Sequence, residues 1–190
     1  MPVLLDLEQF LEEVKTSYDV YPHGASFRPD ETGESVESSR KLVEHDVTDD
    51  GRQAAIGILR RQYAEEIQSI IRLQRHAAHA RYSQFTEGLR KIAKEEQRHA
   101  QLIVQRIHAL GGKVPKVSGG SADASSGWRA LSADLDAEKR CCAELAEELA
   151  IARDLDDDTR ILLDRILQQE KKHLHDISAM QMRSDPQAEG

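Results

Sequence analysis

Two short segments place a glutamate and a histidine three residues apart, where a buried helix face needs apolar side chains. In "EEQRHAQLIVQRI" the pair is Glu96 and His99, and in "RILQQEKKHLHDI" it is Glu170 and His173. Residues at i and i+3 lie on one helix face with Cβ atoms about 5–6 Å apart, so both side chains can bind one metal ion. A single pair of this kind is weak evidence for a metal site, whereas two pairs on separate helices are strong evidence.

Each of the four helices predicted from residue 51 onward has one glutamate within its apolar seam. Spacings of three and four residues trace these seams through leucine, isoleucine and alanine positions. The seam glutamates are Glu66, Glu96, Glu138 and Glu170. Neighbouring glutamates fall beside the seams, and we expect solvent around Glu65, Glu95 and Glu148. Four further histidines also fall off the seams and are left out of the site: His76, His79, His108 and His175.

The four seam carboxylates predict a metal centre because no other partner for them is evident. A lone glutamate on an apolar stripe is usually a boundary residue that reaches solvent. Four in one bundle would repel each other and lose hydration worth several kcal/mol each. Two divalent cations would balance the four charges, and carboxylate with imidazole favours Fe or Mn over structural zinc. The predicted metal-binding and catalytic residues are Glu66, Glu96, His99, Glu138, Glu170 and His173.

The elements that must position these residues are helices, and the chain is predicted to be all-α. The pattern indicates a first helix that starts after Asp49 or Asp50 as N-cap and runs to residue 83. Three more helices are indicated over residues 88–110, 128–155 and 159–182, with two short connections and one longer one between the second and third. Four long helices joined in this way favour a four-helix bundle. Gly111 and Gly112, with Pro115 beyond them, indicate the end of the second helix, and "DDDT" indicates a cap on the fourth.

The chain divides into three predicted parts. Residues 1–50 form an N-terminal extension, with a short amphipathic helix over residues 3–15 and then a loop rich in Ser, Asp, Glu, Gly and Pro. Residues 51–183 form the bundle, and residues 184–190 form a tail.

Charge and hydropathy exclude two kinds of partner. The net charge is −8, and no cluster of cations is evident that could contact a nucleic acid. Four arginines lie on helix faces mixed with acids, and we expect solvated faces there: Arg60, Arg61, Arg72 and Arg75. No apolar run approaches the length that spans a bilayer, so no membrane contact is expected.

The two cysteines, Cys141 and Cys142, are adjacent in sequence. Neighbouring side chains on a helix diverge by about 100°, so a disulfide between them would be strained. Free thiols predict a reducing compartment, and we expect a cytoplasmic protein. Cys142 falls on the third seam, one turn beyond Glu138, where we expect it to pack as a small apolar residue.

Several segments resemble the ferritin-like di-iron family, in particular bacterioferritins and Dps-like proteins with a bacterioferritin-type ferroxidase site. "EEIQSI" is similar to the glutamate segment of their first helix, "EQRHA" and "EKKH" to the motifs of their second and fourth helices, and "VQRIHALGGKVP" to the end of their second helix. The similarity extends over roughly residues 52–183. It implies an antiparallel bundle in which Glu96 and Glu170 bridge two iron ions, Glu66 and His99 complete one ligand shell, and Glu138 and His173 complete the other.

The resemblance also implies a function and an assembly. Such a centre is a ferroxidase that oxidises Fe(II) with O2 or H2O2, for iron storage and detoxification and for protection against oxidative stress. Gln97 stands where bacterioferritins have their haem-binding methionine, so no haem is expected. The chain ends soon after the fourth helix, without room for the fifth helix of 24-subunit ferritins. We therefore expect a homo-oligomer of 12 subunits or fewer.

A second class of function stays open at this point. The same ligands suit a dimetal enzyme that stores no iron, such as a rubrerythrin-like peroxidase, a manganese catalase or an oxygenase. The paired Cys-x-x-Cys motifs of an electron-donating rubredoxin domain are missing from the sequence.

Overall fold

Four long helices make up nearly all of the part of the chain that the structure describes. The computed structural model describes residues 49–117, 127–152 and 154–184. The helices are α1 (Asp49–His79), α2 (Ser83–Ala109), α3 (Gly127–Ile151) and α4 (Asp157–Arg183). These ranges contain no fifth helix and no helix long and apolar enough to cross a membrane. The prediction of an all-α four-helix bundle is confirmed.

The predicted N-terminal helix and loop lie outside the described residues, as does the predicted tail after Ser184. The boundary between extension and bundle at residue 50 therefore stays a prediction.

Each helix is antiparallel to the two helices it packs against. α1 packs on α2 and α3, and α4 packs on α3 and α2. Side-chain hydrogen bonds fix the register of the helices. Between α1 and α3, Arg61 bonds to Glu148 and Arg72 to Asp134. Between α2 and α4, Arg106 bonds to Thr159 and His173 to Glu95. Because α2 and α3 are both antiparallel to α1, they run in the same direction. Their connection must therefore return along the bundle, which explains why it is the long one.

The second helix begins earlier than predicted, at Ser83 instead of residue 88. Phe85 is the physical reason, because its ring is buried and packs edge-on against Tyr82 with ring centroids 5.5 Å apart. The backbone N–H groups of Phe85 and Thr86 both donate to the Tyr82 carbonyl, which closes the first turn. The third helix ends earlier than predicted, at Ile151 instead of residue 155.

Gly111 and Gly112 end α2 as predicted. The Gly112 N–H donates to the Ile107 carbonyl and the Gly111 N–H to the His108 carbonyl, the paired bonds of a Schellman motif. Gly111 has φ +76°, a left-handed conformation that costs glycine little because it has no Cβ.

Apolar layers lie on both sides of the polar positions in the bundle. On one side, buried Leu73, Leu89, Leu135 and Ile177 belong to one cluster of apolar residues. On the other side, the fully buried side chains include Leu59, Ile103, Ile107, Leu145, Leu163 and Ile166. The seams traced from sequence are buried except at Leu110 and Cys142, which are only half-buried. The polar residues between these layers are therefore held away from bulk water.

Asp156 begins α4 as its N-cap. Its carboxylate accepts hydrogen bonds from the Thr159 N–H at 2.9 Å and the Thr159 hydroxyl at 2.7 Å, and it also accepts from Arg106. These contacts join the start of α4 to the last turns of α2.

We expect Asp156→Ala to lower the free energy of unfolding by about 1–2 kcal/mol, because it removes the cap and the partner of Arg106. Asp157→Ala is the control, since this exposed first-turn residue should lose only about 0.3–1 kcal/mol of helix-dipole interaction. Urea denaturation of the metal-free protein measures both values. Equal losses in the two variants would contradict the capping role.

Candidate metal centre

The six residues predicted from sequence come together in one buried cluster at mid-bundle. Their side chains are at most 3% exposed. The ligand-type atoms fall into two groups, each lying within 4.8 Å of one another: Glu66, Glu96, His99 and Glu170 form one, and Glu96, Glu138, Glu170 and His173 form the other. Glu96 and Glu170 belong to both groups. Each group therefore has one glutamate and one histidine of its own and shares two carboxylates.

The atoms of the cluster have the spacing of neighbouring ligands around an ion. His99 Nδ1 lies 3.0 Å from a Glu170 oxygen and 3.1 Å from a Glu96 oxygen. His173 Nδ1 lies 3.4 Å from a Glu170 oxygen and 3.3 Å from a Glu96 oxygen. Ligand atoms about 2.1 Å from a shared ion are about 3 Å apart.

Three buried atoms of the cluster have no hydrogen-bond partner among the described residues: Glu66 Oε1, Glu170 Oε1 and His173 Nδ1. Buried polar atoms are nearly always hydrogen-bonded, so unpartnered atoms that converge on one region fit a bound cation. The donor set and its geometry thus fit two metal ions.

Two of the carboxyl groups are held in their neutral form. Burial raises the pKa of Glu66 well above its usual value, and the charges of Glu96 and Glu170 raise it further. Burial, with the same two charges, raises the pKa of Glu138 to about 9, although Arg72 opposes the shift. Burial therefore favours the protonated form of both side chains when no cation is present, and Glu138 carries its proton at pH 7.

The two imidazoles are held in their charged form. Burial alone would lower the pKa of His99, but the carboxylates of Glu170, Glu66 and Glu96 close to its Nδ1 raise it to about 12. Burial is likewise outweighed at His173, whose contacts with Glu170 and Glu96 raise the pKa to about 11. Both imidazoles hold the pKa of Glu96 below its usual range, although burial opposes this shift. Protons therefore balance the buried carboxylates until metal ions replace them.

Each imidazole uses its second nitrogen to contact a residue outside the cluster. His173 Nε2 lies 2.8 Å from a Glu95 oxygen, and His99 Nε2 lies 3.1 Å from the Gln169 amide oxygen. With Nδ1 facing the cluster, Nε2–H donates in both pairs. The prediction that Glu95 is solvated was wrong, because its side chain is 29% exposed and contacts His173.

A buried polar chain extends from the cluster along the α1–α3 contact. The Ser69 hydroxyl lies 3.3 Å from both Glu96 and Glu138. The Arg72 guanidinium donates to Glu138 at 3.2 Å and to Asp134 at 2.9 Å. The prediction of a solvated Arg72 was therefore wrong.

His76 continues this polar chain. His76 Nδ1 lies 2.8 Å from Asp134, and both side chains are buried. His79, His108 and His175 are exposed. His76 is not among the six clustered residues, but it is buried at the α1–α3 contact, which the spacing within α1 alone does not reveal.

A further glutamate predicted to be solvated also has partners. The Glu148 side chain is 15% exposed and accepts hydrogen bonds from Arg61 and Gln62 of α1. Glu65 is exposed, as predicted.

A cavity of about 270 Å³ adjoins the cluster between α1 and α3. Glu66, Glu138, Glu170 and Arg72 line it, together with Cys141. The sequence had placed Cys142 on the seam, but Cys141 is the cysteine beside the cluster. Burial, followed by the nearby carboxylates, raises the pKa of the Cys141 thiol, so this thiol is neutral.

Comparison with known proteins identifies one family. Residues 56–183 match the family described as the ferritin-like domain. No curated protein matches the chain in sequence.

Solved structures similar to this chain include bacterioferritins and Dps proteins. The Desulfovibrio desulfuricans bacterioferritin, a protein with a diiron site, has a TM-score of 0.65 and 23% identity over 70% of this chain and 81% of its own. A dodecameric thioferritin, the bacterioferritin-related protein of Bacteroides fragilis, has a TM-score of 0.63 and 20% identity over 70% and 86%. The Mycobacterium smegmatis Dps has a TM-score of 0.63 and 16% identity over 70% and 89%.

Filling the cluster with divalent ions should release protons. At pH 7 we expect protons to leave the two imidazoles and Glu138, with a further contribution from Glu66, whose pKa is raised, because ligands must be deprotonated to bind metal. The release should fall as pH rises through the pKa of Glu138 near 9 and then those of the imidazoles near 11 and 12, while affinity increases with pH. Anaerobic calorimetry in two buffers of different ionisation enthalpy measures the release, and pH-independent affinity between pH 6 and 8 would contradict it.

Proposed function

Because the chain belongs to the ferritin-like family, we propose that it is a ferroxidase that oxidises Fe(II) to Fe(III) with O2 or H2O2. One observation carries the proposal: two buried groups of four possible metal ligands lie side by side and share Glu96 and Glu170. We propose that these two carboxylates bridge two iron ions, that Glu66 and His99 complete one ligand shell, and that Glu138 and His173 complete the other.

The negative charge of the cluster favours the oxidation of bound Fe(II). Four carboxylates in a site of low dielectric stabilise a trivalent ion more than a divalent one, so they favour the loss of an electron from each bound Fe(II). Two Fe(II) ions together supply the two electrons that reduce H2O2 to water or O2 to H2O2. Glu66, Glu138 and the two imidazoles release protons as Fe(II) binds. The positive charge that leaves with these protons offsets the positive charge of the Fe(II) ions.

We further propose that the protein acts in iron storage or detoxification and in protection against peroxide, as a cytoplasmic homo-oligomeric shell. The described residues contain the four helices of the bundle without a fifth, and the similar Bacteroides fragilis protein is dodecameric. A shell of 12 subunits, or a smaller assembly, is the proposed form.

The cavity between α1 and α3 supports a second candidate function. Its volume of about 270 Å³ exceeds the space that one small oxidant needs, since a cavity of about 10–15 Å³ on the same measure holds one water molecule. A dimetal enzyme of iron or manganese that acts on a small polar substrate would use such a cavity without storing iron.

We expect Glu96→Gln to slow rapid Fe(II) oxidation by at least about 100-fold, because loss of a residue that only supports a ligand already costs about 10–100-fold. Stopped-flow absorbance of Fe(III) formation measures the rate. Glu87→Gln, an exposed change on the same helix, is the control and should keep the wild-type rate. Wild-type oxidation by a folded Glu96→Gln protein would overturn the site assignment.

Iron loading separates storage from the second candidate. Metal-free protein is supplied aerobically with excess Fe(II), and iron and protein are quantified across size-exclusion fractions. For the proposed storage function we expect iron far above two ions per chain, eluting with a large shell. Iron that stops at about two ions per chain on a small oligomer would overturn storage and favour the dimetal enzyme.

A further inference from the structure

The two histidines of the cluster have different outer partners. His173 Nε2 donates to the Glu95 carboxylate at 2.8 Å, whereas His99 Nε2 donates to the Gln169 amide oxygen at 3.1 Å. The first partner is an anion and the second is neutral.

This difference separates two positions whose ligand types are the same. Residues 95 and 169 each directly precede a shared glutamate, and each contacts the histidine of the opposite helix. The two imidazole rings are nearly parallel, with centroids 5.8 Å apart and an angle of 25° between their planes. Each metal position would receive one glutamate and one histidine of its own and a share of Glu96 and Glu170. Because the ligand types match, a difference in affinity must come from outside them.

We propose that Glu95 and Gln169 are positioning residues that make the two metal positions unequal, so that the position at His173 binds the first divalent ion and binds it more tightly. This inference rests on the proposed two-metal site. A carboxylate that accepts the imidazole N–H makes the opposite nitrogen a stronger ligand and fixes the ring orientation. A neutral amide fixes the ring with less effect on ligand strength.

Among the described residues, the two cations that form ion pairs with Glu138 and Glu95 do not offset this difference. Arg72 lies 3.2 Å from Glu138, but it also pairs with buried Asp134 at 2.9 Å, so its charge is compensated locally. Lys91 lies 4.0 Å from Glu95, and its side chain is 68% exposed, so solvent screens that pair. The Glu95 carboxylate is 29% exposed, which puts the expected effect at the lower end of the usual range, at about 10-fold in affinity.

The test is an anaerobic titration of the metal-free, full-length protein with Co(II), followed by calorimetry and visible absorption. Wild type should bind two ions per chain in two steps that differ about 10-fold in affinity. The double exchange Glu95→Gln with Gln169→Glu keeps the total charge and side-chain size, and it should reverse the order of filling. His173→Ala should remove the tighter step in wild type and the weaker step in the exchanged protein, and proton NMR of the Co(II)-shifted imidazole N–H signals reports the order independently.

Glu87→Gln is the matched control, because it removes one carboxylate from an exposed position of the same helix and should leave both steps unchanged. Two equal steps in wild type, or an unchanged order in the exchanged protein, would overturn the inference while leaving the two-metal site intact. Failure of wild type to bind two Co(II) ions would overturn the proposed site and the inference together.

Discussion

The structure depends on one electrostatic constraint, which is that four carboxylates share a single layer of a bundle core. Each carboxylate loses hydration worth several kcal/mol on burial, and each repels its neighbours. Only positive charge within the same layer can offset these costs. Protons on two imidazoles and two carboxyl groups provide it in one state of the protein, and metal ions can provide it in another. The apolar layers on either side limit the access of water to the carboxylates, which favours binding of cations in the cluster.

The antiparallel register places matching ligand types in the two halves of the site. α2 and α4 each contribute a glutamate and a histidine at i and i+3, and α1 and α3 each contribute one glutamate. Because α2 and α4 are antiparallel, the residue that precedes each shared glutamate meets the histidine of the other helix. Hydrogen bonds from the same two helices therefore orient the ligands, and the outer contacts distinguish one half from the other.

Periodicity along single helices was enough to predict the bundle and the residues of the cluster. Each seam glutamate interrupts a row of apolar side chains, and that interruption is visible in one helix at a time. Contacts beside the seams could not be predicted in this way. They depend on how closely two helices approach and on how far each helix is rotated about its own axis. Glu95 and Arg72 sit on seam edges, where a rotation of a fraction of a turn decides between solvent and a neighbouring helix. The same uncertainty in helix rotation explains why Cys141 lines the cavity, whereas the sequence had placed Cys142 on the seam.

All six side chains of the cluster come from one chain, which has a consequence for how activity relates to assembly. A site that a single protomer completes does not require a neighbour to supply a ligand, so its metal affinity need not vary with protein concentration. If the proposed shell forms, dilution that separates its subunits would leave the metal site of each protomer in place, whereas any property that needs the enclosed volume of the shell would be lost.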